Sequence, residues 1–415
     1  MTDSVASRED ATDVEEVFRE VYGHAVSTLV RIFGDITLAE DAVQDAFVVA
    51  TNRWPREGIP PNPAGWIVTT ARNRAVDQVR RLARGRELYL EVGAATASVH
   101  TGDALSGEDR KEDESVSDDQ LRLIFTCCHP ALRPEHQVAL TLRLLGGLSV
   151  DEVASSFLVS EPAMAKRLVR AKYKIKAANI PYRVPSDADL PDRLQSVLSV
   201  VYLIYNTGAN DPLRAALRGE ATRLARSLGD LMPDEPEAVG LLALIVLSEA
   251  RAQARLVDGA VVLLADQDRS TWDRSLIAEG QTIVRECIRR DRPGPFQLQA
   301  AIQAVHCDAQ TFEATDWSQI VTLYDHLLLA LPTPVVALNR AIALAEVEGP
   351  EAGLSAIVPL HIDLESYHLM HAARGTMLRL LGREGQALAA FDRAHQLAVT
   401  EADREFLLEQ SQALR

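Results

Sequence analysis

The sequence is poor in the features that mark secreted, disulfide-bonded and membrane-spanning proteins. It has four cysteines in 415 residues and no C-x-x-C spacing, which argues against a disulfide framework or a zinc ribbon. The longest uncharged apolar run, 238–248, is too short to cross a bilayer. The acidic N-terminus lacks the basic and apolar segments of a signal peptide. We therefore expect a cytoplasmic protein with buried cysteines and no membrane contact.

Basic residues are outnumbered by acidic ones, which gives a formal net charge of −16. The basic residues are nevertheless concentrated in two segments. Residues 61–86 carry six Lys or Arg against one acidic residue, and residues 121–183 carry ten against four. A polyanion responds to local charge, because salt screens charges beyond a Debye length of about 10 Å. Nucleic acid is therefore a candidate partner of this acidic protein.

Apolar residues recur at helical spacing along most of the chain, and strand-like alternation is lacking, so the sequence predicts an all-α fold. Thr37 and Glu40 have the spacing of a capping box and predict the start of a helix that ends before Pro55. The segment 55–65 contains four prolines and predicts an irregular loop. A basic helix is expected over 66–86.

Residues 87–117 lack apolar periodicity and are rich in acidic and small residues. This is the composition of a flexible linker. The sequence therefore predicts an acidic tether between two basic modules, an arrangement that allows two spaced DNA sites to be bound together.

A short helix, a tight turn and a basic helix are predicted between residues 149 and 177. Ser149 and Glu152 form a second capping box, and Ser160 is positioned to cap the helix that follows. The second helix has six Lys or Arg and an apolar stripe of Met164, Leu168, Ala171 and Ile175. This pattern indicates a helix-turn-helix whose second helix enters the major groove of DNA. A basic helix that is only a solvated surface is the alternative.

The C-terminal part is a run of amphipathic helices with an internal repeat. Five positions recur at an offset of 34, the period of tetratricopeptide (TPR) helix pairs, and these are Ala341 with Gly375, Leu344 with Leu378, Val347 with Leu381, Leu354 with Leu388 and Ile357 with Phe391. The repeat predicts a TPR-like domain. Chance similarity among Ala- and Leu-rich helices is the alternative.

Three further clusters invite a chemical interpretation. Cys127 and Cys128 lack a second group of ligands, so no metal site is expected. The histidines at 306 and 368 are expected to be packing or polar-network residues. The segment 266–274 combines acids, arginines and a tryptophan, which favours a buried ion network over a ligand site. Because no phosphate loop or catalytic constellation stands out, neither enzymatic activity nor a cofactor is expected.

Three motifs in order carry a family resemblance. The chain resembles a bacterial group IV sigma factor of the extracytoplasmic-function (ECF) type in LAEDAVQDAFVVA, in NPAGWIVTTARNRAVDQVRR and in the helix-turn-helix LSVDEVASSFLVSEPAMAKRLVRAK. It is similar to the subfamily with a large fused C-terminal domain in DDQLRLIFTCCHPAL and DQDRSTWDRSLIAEG. The resemblance implies a protein that binds core RNA polymerase and directs promoter-specific initiation.

The resemblance also implies site residues in each segment. The helix that would dock on the clamp helices of the polymerase β′ subunit carries Asp41, Gln44, Asp45 and Phe47. The helix that would melt and read the minus 10 element carries Trp66, Asn73, Arg74, Asp77, Arg80 and Arg81. The helix that would read the minus 35 element, in a domain implied to contact the polymerase β flap, carries Ala165, Lys166, Arg167, Val169, Arg170 and Lys172. Ala165 and Val169 offer no hydrogen bonds, so the promoter sequence stays open.

These interpretations divide the chain into sigma region 2 (1–86), an acidic linker (87–117), sigma region 4 (118–181) and a C-terminal TPR-like domain (182–415). The expected function is initiation at dedicated promoters, controlled by the fused C-terminal domain through a protein partner or an intramolecular contact. Two alternatives are a helix-turn-helix regulator with a TPR-like sensor that is not a polymerase subunit, and a TPR adaptor without a DNA role.

Overall fold

The computed structural model describes residues 17–18, 21–90, 109–157, 159–209, 216–257, 260–398 and 400–415. In these ranges the chain forms nineteen α-helices, two short 3-10 turns (Arg269–Thr271 and Val358–Leu360) and one antiparallel pair of two-residue strands, β1 (Leu256–Val257) and β2 (Ala260–Val261). The predicted all-α fold is confirmed. Among the helices described, none has the length and apolar character needed to cross a membrane.

The chain forms two compact units, Met1–Leu203 and Ile204–Arg415. The first contains α1 (21–33), α2 (Ile36–Glu57), α3 (Pro63–Leu90), α4 (Asp109–Cys127), α5 (Pro134–Leu144), α6 (Val150–Ser156), α7 (Glu161–Ala177) and the start of α8 (Leu190–Ala209). The unit boundary lies within α8 rather than at the predicted position 181/182. Residues after 181 contribute to the first unit, since Arg193 Nη2 donates to the main-chain oxygen of Phe125 over 2.5 Å.

In its described residues, the second unit is helical apart from the small strand pair, the two 3-10 turns and connecting segments. Its helices are α9 (Ala216–Leu231), α10 (Pro236–Glu249), α11 (Ala252–Arg255), α12 (Arg274–Arg290), α13 (Pro295–Asp308), α14 (Trp317–Ala330), α15 (Pro334–Glu348), α16 (Pro350–Ile357), α17 (His368–Leu380), α18 (Glu384–Leu397) and α19 (Glu401–Gln412). Consecutive helices pack against each other from α12 to α19, and α10 packs against α9, α12 and α13.

Asp35, rather than the predicted capping box, caps the start of α2. Its Oδ1 accepts from the main-chain nitrogens of Thr37 (2.9 Å) and Leu38 (3.1 Å), which the first turn of a helix leaves without partners. The predicted pairing of Thr37 with Glu40 is therefore wrong. Glu40 is instead a buried residue with 5% exposure.

The irregular loop between α2 and α3 is shorter than predicted. α2 continues through Pro55 to Glu57. The residue after it, Gly58, is the C-cap: its positive φ of 82° suits glycine, and its nitrogen donates to the oxygen of Trp54 over 2.8 Å. α3 begins at Pro63, because proline is favoured in the first turn of a helix. The irregular segment is therefore only 58–62.

Both ends of the predicted linker 87–117 are helical. α3 extends to Leu90, and α4 begins at Asp109. The remainder of the predicted linker, 91–108, lies outside the described residues.

The offset of 34 residues relates two helix pairs of the second unit. Ala341 and Gly375 lie on the first helix of each pair, whereas Ile357 and Phe391 lie on the second and are 2% and 1% exposed. A Cβ atom at Gly375 would lie 2.9 Å from the ring of Phe391, so the close contact between the two helices requires glycine there. The classification as TPR stays a prediction.

Candidate polymerase and nucleic-acid interfaces

The residues predicted to act at the minus 10 element lie on one exposed face of α3. Ile67, Ala71 and Ala75 repeat every four residues and are fully buried, so they fix which side of the helix faces the core. The opposite side is exposed and presents Asn73, Arg74, Asp77, Arg80 and Arg81. Arginines on such a face can contact phosphates, and an amide can contact a base edge.

Trp66 marks the start of this face and is half-buried. Its ring packs edge-on against the ring of Trp54 at the end of α2, with 5.4 Å between centroids. The contact joins α2 and α3 beside the irregular segment 58–62. Trp66 is therefore positioned beside the exposed face of α3, in contact with the core.

The helix-turn-helix forms as predicted. Ser149 Oγ accepts from the nitrogen of Glu152 (3.3 Å) and Glu152 Oε2 accepts from the nitrogen of Ser149 (2.7 Å), which confirms the capping box of α6. Ser160 occupies the N-cap position of α7, but its side chain makes no capping hydrogen bond. The predicted apolar stripe of α7 is confirmed, since its buried residues are Met164, Leu168, Ala171 and Ile175.

The six residues predicted to act at the minus 35 element differ in accessibility. Lys166, Val169 and Arg170 are exposed, with Val169 at 64%, whereas Ala165 is half-buried. The guanidinium of Arg167 lies 5.0 Å from the centroid of the Phe157 ring, a cation–π contact that positions it beside the turn.

Lys172 is already engaged within the first unit. Its Nζ forms an ion pair with Glu40 Oε2 of α2, and its side chain is 16% exposed. Lys172 was predicted to contact a phosphate. In this structure it is paired with a carboxylate instead.

Tyr173 is an exposed aromatic residue of α7 that was not predicted from the sequence. It is 72% exposed, four residues after Val169, and both line a cavity of about 460 Å³ together with Lys172 and the turn between α1 and α2. The spacing to Val169 is the signal that could have identified it, because residues at i and i+4 share a helix face.

The face of α2 predicted to dock on polymerase is only partly accessible. Asp41 and Asp45 are exposed, and Gln44 is half-buried with its Nε2 3.4 Å from Glu40 Oε1. Burial, and then the negative charge of Glu40, raises the pKa of Asp41 above its usual range. The two exposed acids lie one turn apart and can meet a basic partner surface.

Phe47, which was predicted to act in polymerase docking, is buried, whereas its neighbour Val48 is exposed. Phe47 is 4% exposed, and its ring lies 4.5 Å from that of Phe18 and 6.2 Å from that of Tyr22, so it is a core residue here. Val48 is 60% exposed and lies seven residues after Asp41, on the same face. Val48 is therefore the apolar side chain that this face offers.

The four cysteines are buried, as predicted. Burial raises the pKa of the Cys128 thiol to about 12, and its sulfur lies 3.5 Å from Thr141 Oγ1. Cys127 is fully buried beside it. Both are therefore core residues of the α4 to α5 contact.

The cluster at 266–274 is a set of helix caps rather than the favoured ion network. Asp268 accepts from the nitrogen of Ser270, and Asp273 caps α12. Arg269 donates to the main-chain oxygens of His306 (3.0 Å) and Ala309 (2.8 Å) at the end of α13, and to Thr315 Oγ1. The guanidinium groups of Arg251 and Arg269 lie 5.4 Å and 4.8 Å from the centroid of the Trp272 ring.

The helices α12, α13 and α14 line an open groove of about 970 Å³, which the sequence did not reveal. Its apolar lining includes Val284, Leu298, Ala301, Val305 and Leu323, and its polar lining includes Gln281, Arg285, Arg292 and Gln319. The volume lies at the upper end of the range for ligand sites, about 300–1,000 Å³. A concave surface of this kind arises from helix packing and has no local sequence signature.

Three family models match this chain. Sigma-70 region 2 matches residues 17–85, Sigma-70 region 4 matches residues 122–175, and a family of unknown function (DUF6596) matches residues 193–288. The two helical modules with their exposed basic faces are therefore those of a sigma factor of the sigma-70 class. Regions 2 and 4 imply interaction with core RNA polymerase and promoter DNA.

Curated relatives refine this class. An uncharacterized protein of Rhizobium meliloti is 43% identical over 389 residues, which is 92% of this chain and 91% of that protein. The probable ECF RNA polymerase sigma factor SigI of Mycobacterium tuberculosis is 27% identical over 170 residues, 40% of this chain and 56% of SigI. The ECF RNA polymerase sigma factor SigJ of the same organism is 26% identical over 175 residues, 41% of this chain and 52% of SigJ. The chain belongs to the group IV, or extracytoplasmic-function, sigma factors and carries a larger C-terminal extension.

Proposed function

We propose that this sigma factor binds core RNA polymerase through the exposed face of α2, reads the minus 10 element with α3 and reads the minus 35 element with α7. The observation that carries the proposal is the pair of exposed helix faces, each opposite a buried apolar stripe, on α3 and α7. Asn73 and Lys166 are the candidates for base contacts. No chemical reaction of its own is assigned to the chain.

Run-off transcription from genomic fragments, with purified core polymerase and the full chain, tests this proposal. Initiation at defined start sites that requires both components is the expected result, because a sigma factor acts as a polymerase subunit. Asp41→Asn with Asp45→Asn should weaken core binding, with Arg53→Ala, an exposed residue near the end of α2, as control. Promoter binding that is equally tight without core polymerase would contradict the proposal.

We further propose that the C-terminal unit controls initiation by binding a protein partner or another part of the chain. Supporting this is the groove of α12 to α14, an open concave surface whose apolar lining is accompanied by amide and guanidinium groups. The test compares the full chain with a chain ended after Ala209, the last residue of α8. A truncation after Ile180 is less suitable, since it removes Tyr182 and Arg193, which belong to the first unit and bond to Ser27 and Phe125 within it. Equal promoter-specific transcription by the two chains would rule out control by this unit.

A further inference from the structure

The first turn of α5 is the accessible part of that helix and carries two basic residues. All residues from Gln137 to Leu144 are buried. Arg133, at the N-cap, has a side chain that is 80% exposed, and His136 is half-buried. The two lie three positions apart, so they fall within one turn. Both are therefore within reach of a partner that approaches α5 from solvent.

α7 packs against α5 and brings two guanidinium groups to the same place. Arg167 and Arg170 are three positions apart, so they lie on one side of α7. Both lie close enough to His136 for their positive charges to act on its ring. The guanidinium of Arg167 is positioned by the Phe157 ring, whose centroid is 5.0 Å away. Arg133, His136, Arg167 and Arg170 thus form a basic cluster to which two helices contribute.

The acidic groups around this basic cluster leave most of its charge uncompensated. Oε1 of Glu135 lies 3.9 Å from Nη1 of Arg133, but both side chains are exposed, so water and salt weaken the pair. Glu161, the acid of α7, lies at the exposed start of that helix, six positions before Arg167. On the other helices that pack against α5, the acids have partners of their own, namely Asp118 and Asp119 of α4 with Arg122, and Asp151 and Glu152 of α6 with Ser149. The three guanidinium groups of the cluster are therefore available to a further anion.

The ring of His136 is poised to gain a proton when such an anion binds. Burial of the ring is the main reason why the pKa of His136 lies below its usual value of about 6.5. The carboxylate of Glu135 opposes this shift, and the positive charges of the three arginines add to it. A phosphate group placed among these arginines would bring negative charge to the ring and raise its pKa. Binding of the phosphate and binding of a proton would then favour each other.

The basic cluster lies on one flank of the helix proposed to read the minus 35 element. Arg167 and Lys172 are five positions apart, which places them about 140° apart around α7. The flank of Lys172 faces Glu40 of α2, whereas the flank of Arg167 faces the end of α6 and the first turn of α5. A helix in the major groove, which is about 12 Å wide, has the phosphates of a DNA strand along each flank. The strand beside Arg167 would therefore also meet α5.

We propose that the basic cluster binds a backbone phosphate beside the minus 35 element and that His136 takes up a proton when it does so. The inference rests on the proposed function of α7 and adds two residues of α5, Arg133 and His136, to the DNA-binding surface. Promoter binding is then tighter at pH 6 than at pH 8, because the protonated ring supplies a fourth positive charge to the phosphate. The gain is lost as the pH rises through the pKa of the phosphate-bound ring.

His136→Gln tests the coupling between proton and phosphate. Glutamine can still donate a hydrogen bond, suits the first turn of a helix and does not titrate. The measurement is binding of a minus 35 promoter fragment by the complex of the full chain with core polymerase, at pH 6 and at pH 8. A rise of about one unit in the pKa of the bound ring makes the ratio of the two affinities about fivefold larger in the wild type than in His136→Gln. His326→Gln, at an exposed histidine of α14, is the matched control and should keep the wild-type ratio.

Arg133→Ala tests the phosphate contact itself. Because arginine stays charged, this change should lower the slope of log affinity against log salt by about one at both pH values. His136→Gln should lower the slope by about one at pH 6 and leave it unchanged at pH 8. Arg289→Ala, at an exposed arginine of α12, should leave the slope unchanged at both. A purely structural role of His136 would instead weaken binding equally at pH 6 and pH 8.

Run-off transcription with core polymerase separates the failure of this site from the failure of the proposed function. If the wild-type chain does not initiate with core polymerase, the proposed function fails. If it initiates, but His136→Gln keeps the wild-type ratio of affinities or loses affinity equally at both pH values, the proton-coupled phosphate site is overturned and the proposed function stands. An unchanged salt slope in Arg133→Ala would overturn the site as well.

Discussion

Arg269 donates to the main-chain oxygen of His306 over 3.0 Å, while the ring of that histidine is itself buried, with 8% exposure. Burial, and then the positive charges of Arg251 and Arg269, lowers the pKa of His306 to about 3. The ring packs edge-on against Trp317, with 5.2 Å between centroids. It is therefore neutral in the folded chain across the physiological pH range.

The buried His306 should make the second unit sensitive to acid. In the unfolded chain a histidine binds a proton near pH 6.5, whereas the folded ring does so only near its pKa of about 3. The free energy of unfolding therefore keeps its full value above pH 6.5. Below pH 6.5 it decreases, and this histidine accounts for at most about 1.4 kcal/mol of that decrease per pH unit. His306→Gln should lose less stability than the wild type between pH 7 and pH 5 in urea unfolding. His326→Gln, at an exposed histidine, is the control, and parallel pH profiles for wild type and His306→Gln would contradict the assignment.

The two helices of the helix-turn-helix should respond differently to loss of their N-terminal serines. Ser149→Ala removes a hydrogen-bonded cap and should cost about 1 kcal/mol in the free energy of unfolding. Ser160→Ala removes a side chain that makes no capping hydrogen bond and should cost much less. Urea unfolding measures both, and equal losses would show that the two caps do not differ in solution.

Arginines on the exposed face of α3 should contribute to promoter affinity through phosphates. Arg80→Ala and Arg81→Ala should each lower the slope of log affinity against log salt by about one, with little change in sequence preference. The measurement is promoter binding by the complex with core polymerase at several salt concentrations. Arg289→Ala, an exposed arginine of α12, should leave the slope unchanged.

Lys166 and Lys174 should differ in what they recognise, although both are exposed lysines of α7. Lys166 lies near the N-terminal end of the helix, the part that reaches base edges, and Lys166→Ala should cost about 1–3 kcal/mol on the cognate promoter. Lys174→Ala should weaken cognate and scrambled minus 35 sequences alike, because it lies in the last turn. Identical effects on both sequences for Lys166→Ala would assign that residue to a phosphate.

Features determined by residues close together in the chain, such as helix caps and apolar stripes, were predicted well from the sequence. The stripe of α7 follows from a spacing of three and four residues, and the Ser149 capping box from two residues within one turn. The basic helix α3 was predicted from its composition and spacing, whereas the residues on its outer face were named from the family resemblance. In each case the information lies within a few residues of the feature that it determines.

Features that depend on distant residues were predicted poorly. Phe47 and Val48 are neighbours of similar character, and which of them is buried depends on Phe18 and Tyr22 of another helix. The role of Glu40 depends on Arg143, more than a hundred positions away. The acids of 266–274 cap helices because α12 begins beside them, which a count of charges does not show.

Asp35 and Glu40 divide between them two tasks that a single acidic residue usually cannot perform together. Since Asp35 satisfies the first turn of α2, the carboxylate of Glu40 is free to bind Arg143 of α5 and Lys172 of α7. Without an acid at position 35, Thr37 and Glu40 would be the nearest pair able to cap the helix. Asp35 therefore bears on the contact of α2 with α5 and α7, although its own hydrogen bonds are made to the first turn of α2.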